Sequence, residues 1–194
     1  MLPDARIAAL GAALCTACAP SIGSAELEDT GTPAPAPDTG INPVDWSLVI
    51  NELQASNLGT AVDPDDPDAT PDWVEIYNPS TVAVPLGGLY ISDDPTTPLK
   101  AALPDQDLAA GGFLVLLADD NPAAGPTHLG FKLSASGESV GLFTGDGQPL
   151  DRVAFQDLQE GQVAGRLPDG GSLALLSAAT PGQSNNATEA LEGR

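Results

Sequence analysis

Positive charge is scarce in this chain: 6 Lys and Arg stand against 27 Asp and Glu in 194 residues, a formal net charge of −21. A phosphate backbone is held by clustered cations, so this balance excludes nucleic acid as a general partner. Histidine occurs once, at His128, and cysteine twice, at Cys15 and Cys18, so no metal-ligand cluster of the His/Cys kind is present. What remains is an apolar share of 42% and 40 Gly and Pro together. That is too apolar for a disordered chain and too punctuated for a helical bundle. The length fits one domain with tails.

Residues 1–19 read as a signal segment. Arg6 precedes the apolar run Ile7–Leu14, and small residues follow, Thr16-Ala17-Cys18-Ala19. A membrane span needs about 17 to 25 apolar residues, so this run is too short and fits a secretory h-region. Ala17-Cys18 is similar to the end of a bacterial lipobox, which makes Cys18 the candidate lipidation site. Leu14 stands one place too far upstream for that pattern, and Ala17-Cys18-Ala19 also offers an A-x-A site for soluble release. Both cysteines fall in this segment, so no disulfide is expected within the mature chain. Residues 20–43, with Thr32-Pro33-Ala34-Pro35-Ala36-Pro37 between two Asp-Thr-Gly triplets, are expected as an extended Pro/Thr/Asp linker. The expected localisation is secreted, or outer membrane and cell surface as a lipoprotein, with any membrane contact only through an N-terminal lipid.

From Val44 to Asn185 short apolar runs alternate with Gly, Pro, Asp and Asn. Strands are expected at Trp46–Leu53, Val74–Tyr77, Leu89–Ile91, Gly112–Leu117, His128–Leu133, Ser139–Phe143, Leu150–Phe155 and Ser172–Leu176. Period two places Val74 and Ile76 on one face, and Trp73, Glu75 and Tyr77 on the other. Gly112–Leu117 is apolar throughout and suits a central strand. Gly145-Asp146-Gly147 marks a hairpin turn, and Asp105–Ala109 could form one helical turn. About eight strands with frequent turns argue an all-β fold, an antiparallel β-sandwich over 44–185. Residues 186–194 are expected as a flexible tail.

The order of several motifs resembles the lamin tail domain family. These are Ile50-Asn51-Glu52-Leu53, then Asp72-Trp73-Val74-Glu75-Ile76-Tyr77-Asn78-Pro79, then Val84-Pro85-Leu86-Gly87-Gly88-Leu89-Tyr90-Ile91-Ser92-Asp93-Asp94. Gly111-Gly112-Phe113-Leu114-Val115-Leu116 follows, and Gly165–Gly170 and Thr180–Asn185 close the series. The resemblance implies an immunoglobulin-like sandwich of the kind carried by secreted bacterial proteins, acting as a non-catalytic binding or structural module. Animal lamin tails bind nuclear partners, DNA among them. Between Val44 and Asn185, however, 20 acidic residues face 4 basic ones, a net of −16, so that property is not carried over.

The sharpest local feature is Asp63-Pro64-Asp65-Asp66-Pro67-Asp68. Ca²⁺ takes six to eight oxygens from flexible loops, so Asp63, Asp65, Asp66 and Asp68 are candidate calcium ligands and Ca²⁺ the only cofactor considered. The segment lacks the glycine and terminal glutamate of an EF-hand and holds two stiffening prolines, so a solvated loop is the favoured reading and calcium the alternative. Asp119-Asp120-Asn121 and Ser92-Asp93-Asp94 read as turn formers, unless two such loops meet at one end of the sandwich and share an ion. No catalytic residues are assigned and no enzyme activity is expected. His128 stands alone and reads as a structural or surface residue, and Ser134-Ala135-Ser136-Gly137 lacks the first glycine of a nucleophile elbow. Arg166 reads as a structural clamp on a strand-end Asp. The expected function is a displayed module that recognises an envelope protein or a polysaccharide through its end loops. The alternatives are an extracellular hydrolase, an enzyme accessory domain, or a calcium-dependent adhesion module. Partner identity and oligomeric state are left open.

Overall fold

The computed structural model describes residues 47–191; the expected signal segment, Cys18 and the linker lie outside them. Eleven strands form among the described residues: β1 (Val49–Gln54), β2 (Asp72–Tyr77), β3 (Val84–Pro85), β4 (Leu89–Ser92), β5 (Ala101–Ala102), β6 (Asp107–Leu108), β7 (Phe113–Ala118), β8 (Gly137–Thr144), β9 (Pro149–Gln156), β10 (Val163–Leu167) and β11 (Ser172–Leu176). One sheet has the order β11-β10-β1-β2-β7, the second β5-β4-β8-β9, and β3 pairs with β6. Every pairing between these strands is antiparallel. This is the immunoglobulin-like all-β sandwich expected from the alternation.

The core forms where the apolar halves of the alternating strands meet. Leu48, Ile50, Leu53, Val74, Ile76 and Leu116 from the first sheet pack against Leu89, Ile91, Val140, Leu142, Val153 and Phe155 from the second. The outer face of the first sheet carries its own cluster, Ala61, Trp73, Leu117, Val163 and Leu176. Burial on both faces explains the unbroken apolar run of β7. That run does not make β7 central, as expected: β7 is the last strand of its sheet. Its open edge is covered by residues 127–132, through Leu117 N–H to Thr127 C=O, Leu129 N–H to Leu117 C=O, and a bridge between Asp119 and Lys132. Covering an edge in this way blocks pairing with another chain.

Three local expectations give way to tertiary pairing, and β10 was not foreseen. His128–Leu133 forms isolated bridges beside β7 rather than a strand. Asp105–Ala109 does not turn as a helix, because Asp107 and Leu108 pair with Pro85 and Val84. β10 escaped notice because Gly165 and Arg166 interrupt its apolar pattern. Gly165 is required there: a Cβ would stand 2.6 Å from Leu176 Cδ1 and 3.2 Å from the Asn51 carbonyl. Lastly, order extends past Asn185. Ser177 N–H bonds the Glu189 carbonyl and Leu191 N–H the Leu175 carbonyl, so residues 186–191 are held on the edge strand β11 instead of trailing as a tail.

Candidate functional site

A β-bulge between Ile50 and Glu52 shifts the register of β1. It turns the consecutive polar side chains Asn51 and Glu52 outward while Ile50 and Leu53 stay in the core. On the outer face they meet Glu75 and the segment Thr180–Ala187. Glu52 accepts from Thr180 N–H at 2.9 Å and from Thr180 Oγ1 at 3.0 Å; Glu75 accepts from Gly182 N–H at 2.6 Å and from Asn51 Nδ2 at 3.1 Å. Asp169 accepts from Asn185 N–H at 2.8 Å and Asn51 Nδ2 at 3.0 Å. Burial pushes the Glu52 carboxyl up to about 7 and that of Glu75 to about 8, against the hydrogen bonds that favour their ionised forms. Each of these groups has its partners inside the chain, and together they clasp the C-terminal segment to the sheet. Beside them Arg166 donates from Nε to the Ile50 carbonyl, from one terminal nitrogen to the Gly171 carbonyl, and from the other to both oxygens of Asp151 at 2.9 and 3.0 Å. Arg166 is thus the structural clamp expected of it, although Asp151 lies within β9 rather than at a strand end.

At one end of the sandwich four loops converge. The loop of residues 55–71 joins β1 to β2 and is stapled at its base, with Asp72 accepting from Ser56 N–H and Asn57 donating to the Pro71 carbonyl. Gly161, from the turn before β10, bonds Ser56 and Gln54. Residues 93–100 follow β4, where Lys100 pairs with Asp93 at 2.7 Å and stands 5.2 Å over the Phe131 ring. Phe131 belongs to the fourth loop, residues 119–136. The Asp94 carboxyl, exposed in this region, is held below its ordinary range by hydrogen bonds from Thr96.

The aspartates of residues 63–68 separate by direction. Asp65, Asp66 and Asp68 are exposed, whereas Asp63 turns inward and caps its own loop by accepting from Asp65 N–H at 2.8 Å. What Asp63 meets is His128, on the loop after β7. Backbone bonds from both neighbours of His128 to Leu117 fix the residue beside β7, and its side chain is 2% exposed. The ring Nδ1 lies 2.7 Å from Asp119 Oδ2, and Nε2 lies 4.0 Å from Asp63 Oδ1. Asp119 is in turn fixed by accepting from Asn121 N–H at 3.0 Å. One donor atom from each of Asp63, Asp119 and His128 lies within 4.8 Å of the others.

The structure therefore brings one of the four expected ligands, Asp63, together with two residues that were read separately as a turn former and a structural or surface histidine. No local pattern could have joined them, since Asp63 and His128 are distant in sequence and meet only because β1–β2 and β7 end on the same side. As chemistry, the arrangement is an imidazole oriented by one carboxylate and facing another. The ring itself is buried, with 2% of the side chain exposed. Among the described residues no helix is long and apolar enough to cross a membrane.

Comparison with known proteins adds one match. The family model described as Lamin Tail Domain matches residues 46–157, from the residue before the described region through the end of β9. β10 and β11 complete the first sheet beyond that match. No curated protein and no solved structure matches the chain.

Proposed function

Because the chain belongs to the lamin tail domain family, whose members are non-enzymatic immunoglobulin-like sandwiches, we propose that it serves as a recognition module displayed outside the cell. In this reading the signal segment exports it, Cys18 carries a lipid, and residues 20–43 hold the sandwich off the membrane as an extended tether. Recognition belongs to the end where four loops converge, and the partner is an envelope protein or a polysaccharide. The observation that carries this reading is the convergence itself. Loops presented on a rigid sandwich are where such folds place binding residues, and here they present Asp65, Asp66, Asp68, Asp94 and Asp120 outward or toward solvent. The acidity also argues against nucleic acid as the partner.

The experiment has two arms in the native cell. Full-length protein is expected in the membrane fraction and Cys18→Ala in the soluble fraction; membrane retention of the variant would remove the anchor from the proposal. The second arm compares binding of purified chain to isolated envelopes. A variant with Asp65, Asp66, Asp94 and Asp120 changed to Asn is expected to keep its melting temperature and bind several-fold more weakly. Unchanged binding would move recognition away from the loop end.

A further inference from the structure

We propose that Asp63, Asp119 and His128 form a binding site for one divalent transition-metal ion of the zinc class, with His128 Nε2 and Asp63 Oδ1 as ligands and Asp119 as the residue that orients the ring. The argument begins with the tautomer. An ionised carboxylate only accepts hydrogen bonds, so the 2.7 Å contact with Asp119 Oδ2 requires a proton on His128 Nδ1. In the neutral ring Nε2 then carries its lone pair toward Asp63 Oδ1, 4.0 Å away. A lone pair facing an anion in an enclosed setting is unfavourable unless positive charge lies between them. A proton on Nε2 would supply that charge as an ion pair at 4.0 Å, beyond hydrogen-bond reach and with no direct bond to Asp63. A metal ion would supply it while bonding both atoms: two bonds of about 2.0–2.2 Å reach across 4.0 Å at an N–metal–O angle wider than tetrahedral. A carboxylate hydrogen-bonded to the remote nitrogen of a metal-bound histidine is also the arrangement that fixes the ring and raises its basicity.

The same geometry selects the ion. Imidazole suits zinc and its neighbours, whereas Ca²⁺ requires six to eight oxygens. The oxygens that could have supplied a calcium site, on Asp65, Asp66 and Asp68, are exposed, whereas Asp63 is buried. The acidic loop thus contributes one ligand, to a different metal class from the one its composition suggests. Positions not filled by these side chains are left to water or to a donor from a partner. The site does not depend on export, anchoring or the partner proposed above.

The test uses the full chain with Cys15 and Cys18 changed to Ser, so that thiolates do not compete, after removal of metal with a chelator. Calorimetric titration with Zn²⁺ is expected to give one ion per chain and a raised melting temperature, Co²⁺ to give visible absorption bands from nitrogen and oxygen ligation, and Ca²⁺ to give neither. Asp63→Asn and His128→Gln should abolish the Zn²⁺ response, Asp119→Ala should weaken binding by roughly 10–100-fold, and the triple variant Asp65→Asn, Asp66→Asn, Asp68→Asn should bind as the parent does. Absence of Zn²⁺ binding by the parent overturns the proposal, as does an equal response to Ca²⁺ or loss of binding in the triple variant. Should His128→Gln fail to fold, the parent titration and the triple variant still decide.

Discussion

Asn78 follows the last residue of β2 and is wholly buried. Its side-chain amide donates to the Val82, Leu108 and Ala109 carbonyls at 2.8, 2.9 and 3.0 Å, and its Oδ1 accepts from Ser80 N–H at 3.0 Å. One side chain thereby ties the turn after β2 to the approach to β7, and Gly111, at a φ of 66° that favours glycine, brings its N–H to the Asn78 carbonyl. Removing the amide strands buried carbonyls, each of which costs more unpaired than a hydrogen bond contributes. Asn78→Ala is expected to lower stability by roughly 2–4 kcal/mol, read as a lower urea midpoint at unchanged slope. Asn78→Asp should be worse than Ala, since it sets an acceptor against three acceptors. A midpoint for Asp at or above that for Ala would show that the carbonyls find other donors. From the sequence this asparagine was legible only as a turn former before Pro79. Its buried partners come from a segment about thirty residues on, which no local pattern signals.

The clasp of the C-terminal segment over β1 and β2 has a pH dependence of defined sign. The folded-state values of Glu52 and Glu75, about 7 and 8, lie above the 4.5 of an ordinary glutamate, and burial is the main cause. The native chain therefore holds protons that the unfolded chain releases. The stability this contributes is fully present below pH 4.5 and is lost as pH rises through 7 and 8. Stability is expected to fall between pH 5.5 and pH 8.5 by an amount on the order of a few kcal/mol across the pair, read as a falling melting temperature. Ordinary carboxyls near 4 are already ionised throughout this window, and every other group is common to both proteins when Glu75→Gln is compared with the parent at each pH. The variant should show a much shallower fall; a parallel fall would assign the effect elsewhere. At this scale the alternation of β2 already placed Trp73, Glu75 and Tyr77 on one face, correctly. Covering that face by residues 180–191 was not legible. The bulge that turns Asn51 and Glu52 outward together is set by pairing, and Thr180–Asn185 carries no apolar periodicity of its own. The same limit applies to β7, whose apolar run reports burial on two faces and says nothing of position in the sheet.

For the whole molecule the decisive quantity is the imbalance of charge. The sandwich carries a net of −16 between Val44 and Asn185, and two of its four cations are paired locally, Lys100 with Asp93 and Arg166 with Asp151. Two opposing effects of salt follow. Screening weakens those ion pairs, and it also weakens repulsion among the remaining carboxylates, many of them gathered on the converging loops. Exposed pairs contribute little each, and the Arg166 pair is reinforced by hydrogen bonds to the Ile50 and Gly171 carbonyls that salt does not screen. Repulsion acts over every unpaired carboxylate within a screening length, which shortens from about 30 Å at 0.01 M to about 8 Å at 0.15 M. That longer length is comparable to a domain of this size, so at low salt the acidic residues act on one another across the molecule. Raising NaCl from 10 to 150 mM is therefore expected to increase the melting temperature by a few degrees, with the same sign for KCl. A decrease would mean that the few ion pairs outweigh the collective repulsion. The same imbalance makes a cation at Asp63, Asp119 and His128 favourable for the whole end of the sandwich, so bound metal should reduce the salt-induced rise in melting temperature.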